Sequence, residues 1–297
     1  MPTTIADTVR HLQITCHRPV SNVLSGLYRS VFKGTGIEFD EVRTYLPGDD
    51  VRTIDWRVTA RMKEPYVRRY VEERQLTLWL ALDISASFRT GAGRGEKAEV
   101  AHRIAALLAF TAARNHDRVG LILFTDRIEC IEPPRQGHRH IPRLLKRVLS
   151  FVPAGRGTDI SAALEGLHGV FRKNQTVFLI SDFQSPDYRE ALRRTAFRQS
   201  LHAICIRHEL EVRLPRVGLL KVYDAETGET ILTDTLAEKN RERFRREADR
   251  RHRALTEGFA DAGVEHLDLV TGGDCTEALA GFLTMLQRKG GNRHAGR

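Results

Sequence analysis

Short, almost wholly apolar runs recur along the chain, separated by segments in which apolar residues are spaced as on one face of a helix. The most continuous run is 76–82, where Thr77 is the only polar residue. Runs of this length and uniformity are typical of strands buried on both faces, as in the middle of a parallel sheet. The pattern predicts further buried strands at 118–124, 176–180, 202–206 and 264–270.

The segments between these runs have the apolar spacing of helices. We predict helices at 96–114, 138–151, 158–171, 187–199, 236–262 and 274–288, and a hairpin partner for the second strand at 127–131. Regular alternation of strand and helix predicts an α/β fold with a doubly wound, mostly parallel sheet and right-handed crossovers.

Residues 1–75 are expected to form an N-terminal extension packed on this sheet domain, because their apolar content is too thin for a core of their own. Helix is expected over 5–31 with an interruption at Pro19, a half-exposed strand over 38–46, and short extended pieces at 51–56 and 66–71. Trp56 is interpreted as a packing residue. The sheet domain is expected to span 76–289, to contain a hairpin turn at 224–228, and to be followed by a loose tail at 290–297.

Composition narrows the class of protein. The chain has 297 residues, 41% of them hydrophobic and 29% charged, which is ordinary for a soluble globular protein. No apolar run approaches the ~18 residues of a membrane-spanning helix, so membrane insertion is not expected. Four widely separated cysteines argue against a zinc site or a disulfide framework, and a reducing cytoplasm is the simplest location.

Polar side chains follow the first and third of the predicted buried strands. Asp83, Ser85 and Ser87 come directly after the first strand, and the pair Ser181 and Asp182 follows the third. Thr158 lies in a glycine-rich loop before a predicted helix. Ligands of open α/β sheets bind beyond the carboxyl ends of the strands. Carboxylates and hydroxyls are ligands for a hard cation, with Mg²⁺ the first candidate and Mn²⁺ or Ca²⁺ the alternatives.

Each of these groups has a simpler interpretation when it is taken alone. Thr158 or Asp159 is more typically the N-cap of the next helix. The pair Ser181 and Asp182 is more typically a loop and cap. The combination of two carboxylates and three hydroxyls at the strand ends is what favours a cation site over separate caps.

The constellation resembles the metal-ion-dependent adhesion site (MIDAS) of von Willebrand factor A domains. The matching features are Asp-x-Ser-x-Ser at 83–87, Gly-x-Gly-Thr-Asp at 155–159 and an Asp after the next buried strand. The resemblance implies a von Willebrand A/Rossmann-like fold. It also implies that Asp83, Ser85 and Ser87 form the first ligand group, Thr158 the second and Asp182 the third.

The segment 36–56, with Arg43-Thr44-Tyr45-Leu46-Pro47-Gly48-Asp49-Asp50 at its centre, is similar to the signature of the bacterial domain-of-unknown-function fifty-eight family. Members of that family carry a von Willebrand A-like domain directly after this signature. The resemblance implies a MoxR-type AAA+ ATPase as companion. Many relatives begin with two membrane helices, which this sequence lacks, so membrane attachment is not carried over.

These observations favour a non-enzymatic, divalent-metal-dependent protein-binding module, acting as an adaptor or co-chaperone of a MoxR-type ATPase or binding an acidic client protein. The first alternative is a metal-dependent phosphohydrolase at the same pocket. Against it, Ser85 stands where a haloacid-dehalogenase phosphatase needs its second Asp. No convincing nucleophile or general base is evident.

The second alternative is a nucleic-acid-binding protein, suggested by the net charge of +9. The basic residues concentrate at 241–253, where they alternate with Glu242, Glu247 and Asp249. A solvated helix with internal ion pairs is therefore the favoured interpretation, and nucleic acid is not an expected partner.

Overall fold

A computed structural model describes residues 4–19, 23–32, 37–62, 64–72, 75–90, 95–137, 139–167, 169–171, 175–223 and 230–294. The strands, numbered in chain order, are β1 Ile37–Thr44, β2 Tyr66–Glu72, β3 Thr77–Asp83, β4 Arg118–Phe124, β5 Ile128–Arg135, β6 Thr176–Ser181, β7 Ser200–Arg207, β8 Leu219–Tyr223, β9 Thr230–Asp234 and β10 Glu265–Val270. The helices are α1 Ile5–Pro19, α2 Ser25–Val31, α3 Trp56–Met62, α4 Ala86–Thr90, α5 Glu96–Arg114, α6 His140–Ser150, α7 Ile160–Leu167, α8 Arg189–Arg198, α9 Glu209–Val212, α10 Glu238–Asp261 and α11 Cys275–His294.

Six strands form the central sheet in the order β10-β7-β6-β3-β4-β5. All neighbouring pairs are parallel except β4 and β5, which form the expected antiparallel hairpin. Strand β6 is buried at every position, and β3 and β4 at all but their first residue. These strands are continuously apolar because helices cover both faces of the sheet. The predicted α/β class with a mostly parallel, doubly wound sheet is confirmed.

Helices form two layers on the sheet. Residues of α7, α8 and α10 share one core cluster with Trp79 and Ala81 of β3. Helix α5 contacts β3, β4 and β7, and packs against α1, α2, α6 and α11. The first two helices of the chain therefore belong to the same compact unit as the sheet, which comprises residues 1–31 and 77–297.

Residues 32–76 form a second compact unit built on an antiparallel pair, β1 and β2. The expected extension at 1–75 thus contains parts of both units. Inside this unit, Arg43 pairs with Asp49 at 2.6 Å. The Asp50 side chain accepts the Arg52 N–H and caps a 3₁₀ turn over 51–53. Asp55 accepts the N–H groups of residues 57 and 58 at the start of α3.

The expectation of extended chain at 51–56 is wrong, because side chains that cap backbone N–H groups favour helical turns there. The interpretation of Trp56 as a packing residue is also wrong. This side chain is 71% exposed.

Several element ends differ from the predicted positions. Helix α7 covers only Ile160–Leu167 of the predicted 158–171. Helix α11 continues to His294, into the segment expected to be a loose tail. Strands β8 and β9 form the predicted hairpin, but its turn at 224–228 lies outside the described residues.

Helix α10 carries the expected internal ion pairs between residues three or four positions apart. Arg246 lies 3.1 Å from Glu242, and Arg250 and Arg251 both pair with Glu247. Within the part of the chain that the structure describes, no helix is both long and apolar enough to cross a membrane.

Candidate metal centre

The candidate site lies at the carboxyl ends of β3 and β6, where the order of strands in the sheet reverses. From β3 the chain proceeds to β4 on one side, and it later returns to add β6, β7 and β10 on the other. The carboxyl ends of strands at such a reversal border a crevice, which is the usual ligand position in open α/β sheets. Leu82 pairs with Ile180, so Asp83 and Ser181 leave the sheet side by side.

Asp83 is buried at the end of β3, and hydrogen bonds hold both of its carboxylate oxygens. The Ser85 N–H donates to Oδ1 at 2.9 Å, and the Ser181 hydroxyl donates to Oδ2 at 2.6 Å. Burial, reinforced by the negative charge of Asp182, raises the pKa of Asp83 from 3.8 to about 7. These hydrogen bonds orient the Asp83 carboxylate but do not neutralise its negative charge. A cation beside it would offset the repulsion between Asp83 and Asp182.

Ser85, Ser87 and Asp182 form a chain of neighbouring oxygens. Ser85 Oγ lies 3.2 Å from Ser87 Oγ, and Ser87 Oγ donates to Asp182 Oδ2 at 3.2 Å. Adjacent ligands of an octahedral Mg²⁺, at metal–oxygen distances of about 2.1 Å, are separated by roughly 3.0 Å. The spacing of these three oxygens therefore fits neighbouring positions around one such cation. The structure brings four of the five predicted ligands, counting Asp83, into one hydrogen-bonded cluster.

The fifth predicted ligand, Thr158, is buried in the loop that precedes α7. This loop is tied to the start of α4, because the Ala86 N–H donates to the Arg156 carbonyl oxygen at 2.8 Å. Glu129 also holds this loop, because it accepts the Gly155 N–H at 2.7 Å and the Thr125 hydroxyl at 2.8 Å. Glu129 thus fixes the backbone of the loop from which Thr158 projects.

Gly155 lies so close to the end of β4 that a side chain does not fit. A Cβ atom there would collide with Thr125 Oγ1 and Asp126 Oδ1, and would lie 2.9 Å from Thr125 Cβ.

We expect Gly155→Ala to lower the free energy of unfolding by about 1–3 kcal/mol, because the loop that contains Gly155 must move away from the end of β4. Gly157→Ala is the matched control, since its Cβ would meet nothing closer than 4.0 Å. Urea unfolding of both variants checks this; equal losses would contradict it.

Sequence reasoning missed a positive charge at the site. Lys97, in the first turn of α5, is only 3% exposed, and its Nζ lies 2.7 Å from both Asp182 Oδ2 and Glu211 Oε1. Burial lowers the pKa of Lys97, but these two carboxylates more than offset that effect, and the net shift is upward. Lys97 stands four and seven positions before Ala101 and Ile104, which places it on the apolar face of α5. A lysine on an apolar helix face is the sequence feature that could have indicated this buried charge.

The donor set has the chemistry of a site for a hard cation. All the candidate ligands are oxygens, two of them from carboxylates and the rest from hydroxyls. Among the residues that the structure describes, no group of three or more His, Cys, Asp or Glu side chains has an arrangement suited to a metal. Any cation bound here would thus be held by few negative charges, and the residues present fit Mg²⁺ better than Zn²⁺.

Fold and site together define an α/β protein with a candidate cation site at the switch point of a mostly parallel sheet. The chain belongs to the family described as "Protein of unknown function DUF58", whose profile matches residues 41–254. Uncharacterized proteins of Mycobacterium tuberculosis and Mycobacterium bovis are each 34% identical to it over 227 residues, which is 75% of this chain and 72% of the relative.

Two solved structures are also similar. The conserved hypothetical protein BatB from Bacteroides thetaiotaomicron has 17% identity and a TM-score of 0.45, and the alignment covers 72% of this chain and 99% of BatB. A von Willebrand factor type A protein from Catenulispora acidiphila has 11% identity and a TM-score of 0.41, over 75% of this chain and 43% of that protein.

Proposed function

We propose that this protein is a divalent-metal-dependent protein-binding module. Asp83, Ser85, Ser87, Thr158 and Asp182 would hold one Mg²⁺, with Mn²⁺ or Ca²⁺ as substitutes. The observation that carries the proposal is the 3.2 Å spacing of Ser85 Oγ, Ser87 Oγ and Asp182 Oδ2 at the switch point. When bound, the cation supplies a Lewis-acid position that an Asp or Glu of a partner can complete.

The residues of the chain support binding better than bond chemistry. Beside Asp83 the site offers the hydroxyls of Ser85 and Ser87, and Ser85 stands where a haloacid-dehalogenase phosphatase needs a second Asp as general acid. Few negative charges at the site leave a bound cation electron-poor, and an electron-poor cation favours an additional anionic ligand. This chemistry selects a partner with an exposed acidic side chain.

The proposed partner is a MoxR-type AAA+ ATPase or an acidic client protein of such an ATPase, with this chain as adaptor or co-chaperone. Family membership supports the ATPase as companion, and the charge of the site supports an acidic contact residue. Family membership and the charge of the site are independent arguments. The proposed partner can therefore be wrong while the proposed metal site is correct.

The test is capture of a purified MoxR-type ATPase from the same genome by the immobilised protein, in Mg²⁺ and in EDTA. We expect retention in Mg²⁺ only, and loss of retention in Asp182→Asn. Asp187→Asn is the matched control, because this exposed residue lies on the same loop and its carboxylate accepts only the nearby Arg189 N–H among the hydrogen bonds seen in the described residues. Retention that is indifferent to EDTA would refute the metal bridge. Phosphatase turnover lost in Asp83→Asn would instead favour the phosphohydrolase hypothesis.

A further inference from the structure

Lys97 occupies an electrostatically unfavourable place in the fold. It is the second residue of α5, and the N-terminal end of a helix carries a partial positive charge that repels a cation. Lysine is almost never fully buried unless it is paired. The position is tolerated because Asp182 and Glu211 both accept hydrogen bonds from the ammonium group, at 2.7 Å each.

The ammonium group contacts the very carboxylate oxygen that the candidate site offers to a metal. Asp182 Oδ2 accepts hydrogen bonds from both Ser87 Oγ and Lys97 Nζ, while Oδ1 accepts the Gln184 N–H. A divalent cation beside Ser87 would share Oδ2 with Lys97. Two positive groups on one oxygen repel each other, and in a buried site this repulsion is poorly screened.

Glu211 offers the lysine an alternative position. Its Oε1 accepts from Lys97, and its Oε2 accepts the His208 N–H, so that it closes the single turn of α9. Glu211 is therefore fixed in place by its own helix turn, whether or not Lys97 also contacts Asp182.

We propose that Lys97 is a tethered competitor for the divalent cation. In the metal-free protein its ammonium group neutralises Asp182, and when a cation binds, Lys97 is retained by Glu211 alone. The inference rests on the proposed function and describes how metal binding is regulated. Lys97 keeps the affinity for the metal low, and Glu211 determines how easily Lys97 moves away from Asp182. Lys97 is a positioning residue, since it acts through Asp182.

The test compares Mg²⁺ affinity by isothermal titration calorimetry in wild type, Lys97→Met, Glu211→Gln and the double variant. We expect Lys97→Met to bind Mg²⁺ at least about tenfold more tightly, because a like charge within ~4–6 Å of the cation is removed. Glu211→Gln should bind at least about threefold more weakly, because residue 211 then no longer offers Lys97 a negative charge and the ammonium group stays closer to Asp182. Glu96→Gln is the control, an exposed carboxylate one residue away that pairs with His208.

The double variant separates competition from a general effect of charge. If Glu211 acts by drawing Lys97 away, Glu211→Gln should change the affinity less than about twofold once Lys97 is methionine. Equal effects of Glu211→Gln in both backgrounds would overturn the inference. If Lys97→Met does not fold, Lys97→Gln, which removes the charge but keeps hydrogen-bonding groups, takes its place in the same comparison; the side chain of Glu211 is 26% exposed, so its substitution is expected to leave the fold intact.

The outcomes distinguish this inference from the proposed function. If wild type binds Mg²⁺ and Lys97→Met binds no more tightly, the lysine is a structural ion pair and only the inference fails. If neither folded protein binds Mg²⁺ or Mn²⁺, the metal-dependent function itself fails. Binding by Lys97→Met but not by wild type would support the lysine as competitor and refute metal bridging by the wild-type chain.

Discussion

Asp83→Asn should make the metal-free protein more stable than wild type at pH 8 by a few kcal/mol, and by much less at pH 4. Burial and the nearby charge of Asp182 raise the pKa of Asp83 to about 7, so ionising this carboxyl group opposes folding. A shift of about three units corresponds to roughly 4 kcal/mol at most. The Asn side chain keeps one oxygen acceptor, and its NH₂ group can donate to the Ser181 hydroxyl.

The variant should become more stable relative to wild type as the pH rises, because folding raises the pKa of Asp83. Because the folded-state pKa of Asp83 is raised, its neutral form stabilises the folded protein fully below pH ~4, and that contribution is lost as the pH rises through about 7. Asparagine does not titrate, so the difference in unfolding free energy between variant and wild type should grow across this window.

Urea unfolding in EDTA from pH 4 to pH 8 measures this difference. The control is Asp187→Asn, which makes the same chemical change at an exposed position. A difference that stays constant with pH, or that shrinks as the pH rises, would show that Asp83 does not carry a buried, uncompensated charge.

Apolar pattern predicted the central sheet well for a physical reason. Strands covered on both faces must be apolar at almost every position, so the segment 118–124 was predicted with the bounds that β4 has. Helix ends were less predictable. The α7 helix begins two residues after Thr158, because its start is set by contacts with the loops around it, such as the Ser185 hydroxyl that accepts the Ile160 N–H.

The candidate site was accessible to sequence reasoning only in part. Strand ends could be located from the pattern, which placed Asp83 and Asp182 at one edge of a sheet. Their proximity depends on β3 and β6 being neighbours, and these strands are separated by almost 100 residues and by two intervening strands. Resemblance to an adhesion-site motif supplied that pairing; periodicity alone does not specify which crossover the chain makes.

The missed features are those in which side chains act against the local pattern. Lys97 interrupts an otherwise apolar stripe, and it is stabilised by Asp182 and Glu211, which are 85 and 114 positions distant in sequence. In the second unit, Asp50 and Asp55 cap helical turns within the segment 51–56, where short extended chain was expected. Long-range ion pairs and short capping bonds both override the pattern, and periodicity does not identify the partner residues of either.

Magnesium should stabilise wild type against heat, and Asp83→Ala should abolish that response. A ligand that binds only the native state stabilises it by about 2.7 kcal/mol at a concentration ~100 times its dissociation constant. Asp83 supplies one of two carboxylate charges, so its loss should reduce affinity far more than the loss of a hydroxyl dipole. In EDTA the variant should be no less stable than wild type, since one of two clustered carboxylates is gone.

Ser85→Ala and Ser87→Ala distinguish the contribution of carboxylate charge from that of the number of ligands. Each variant removes one hydroxyl from the row of oxygens spaced 3.2 Å apart and leaves both carboxylates in place. We expect both serine variants to retain a reduced thermal shift that recovers at higher Mg²⁺ concentration, whereas Asp83→Ala should not recover. The measurement is a thermal melt of each variant in EDTA and over a series of Mg²⁺ concentrations. If wild type and Asp83→Ala respond equally to Mg²⁺, Asp83 is a strand-end cap whose carboxylate serves Ser85 and Ser181, and the metal bridge must be abandoned.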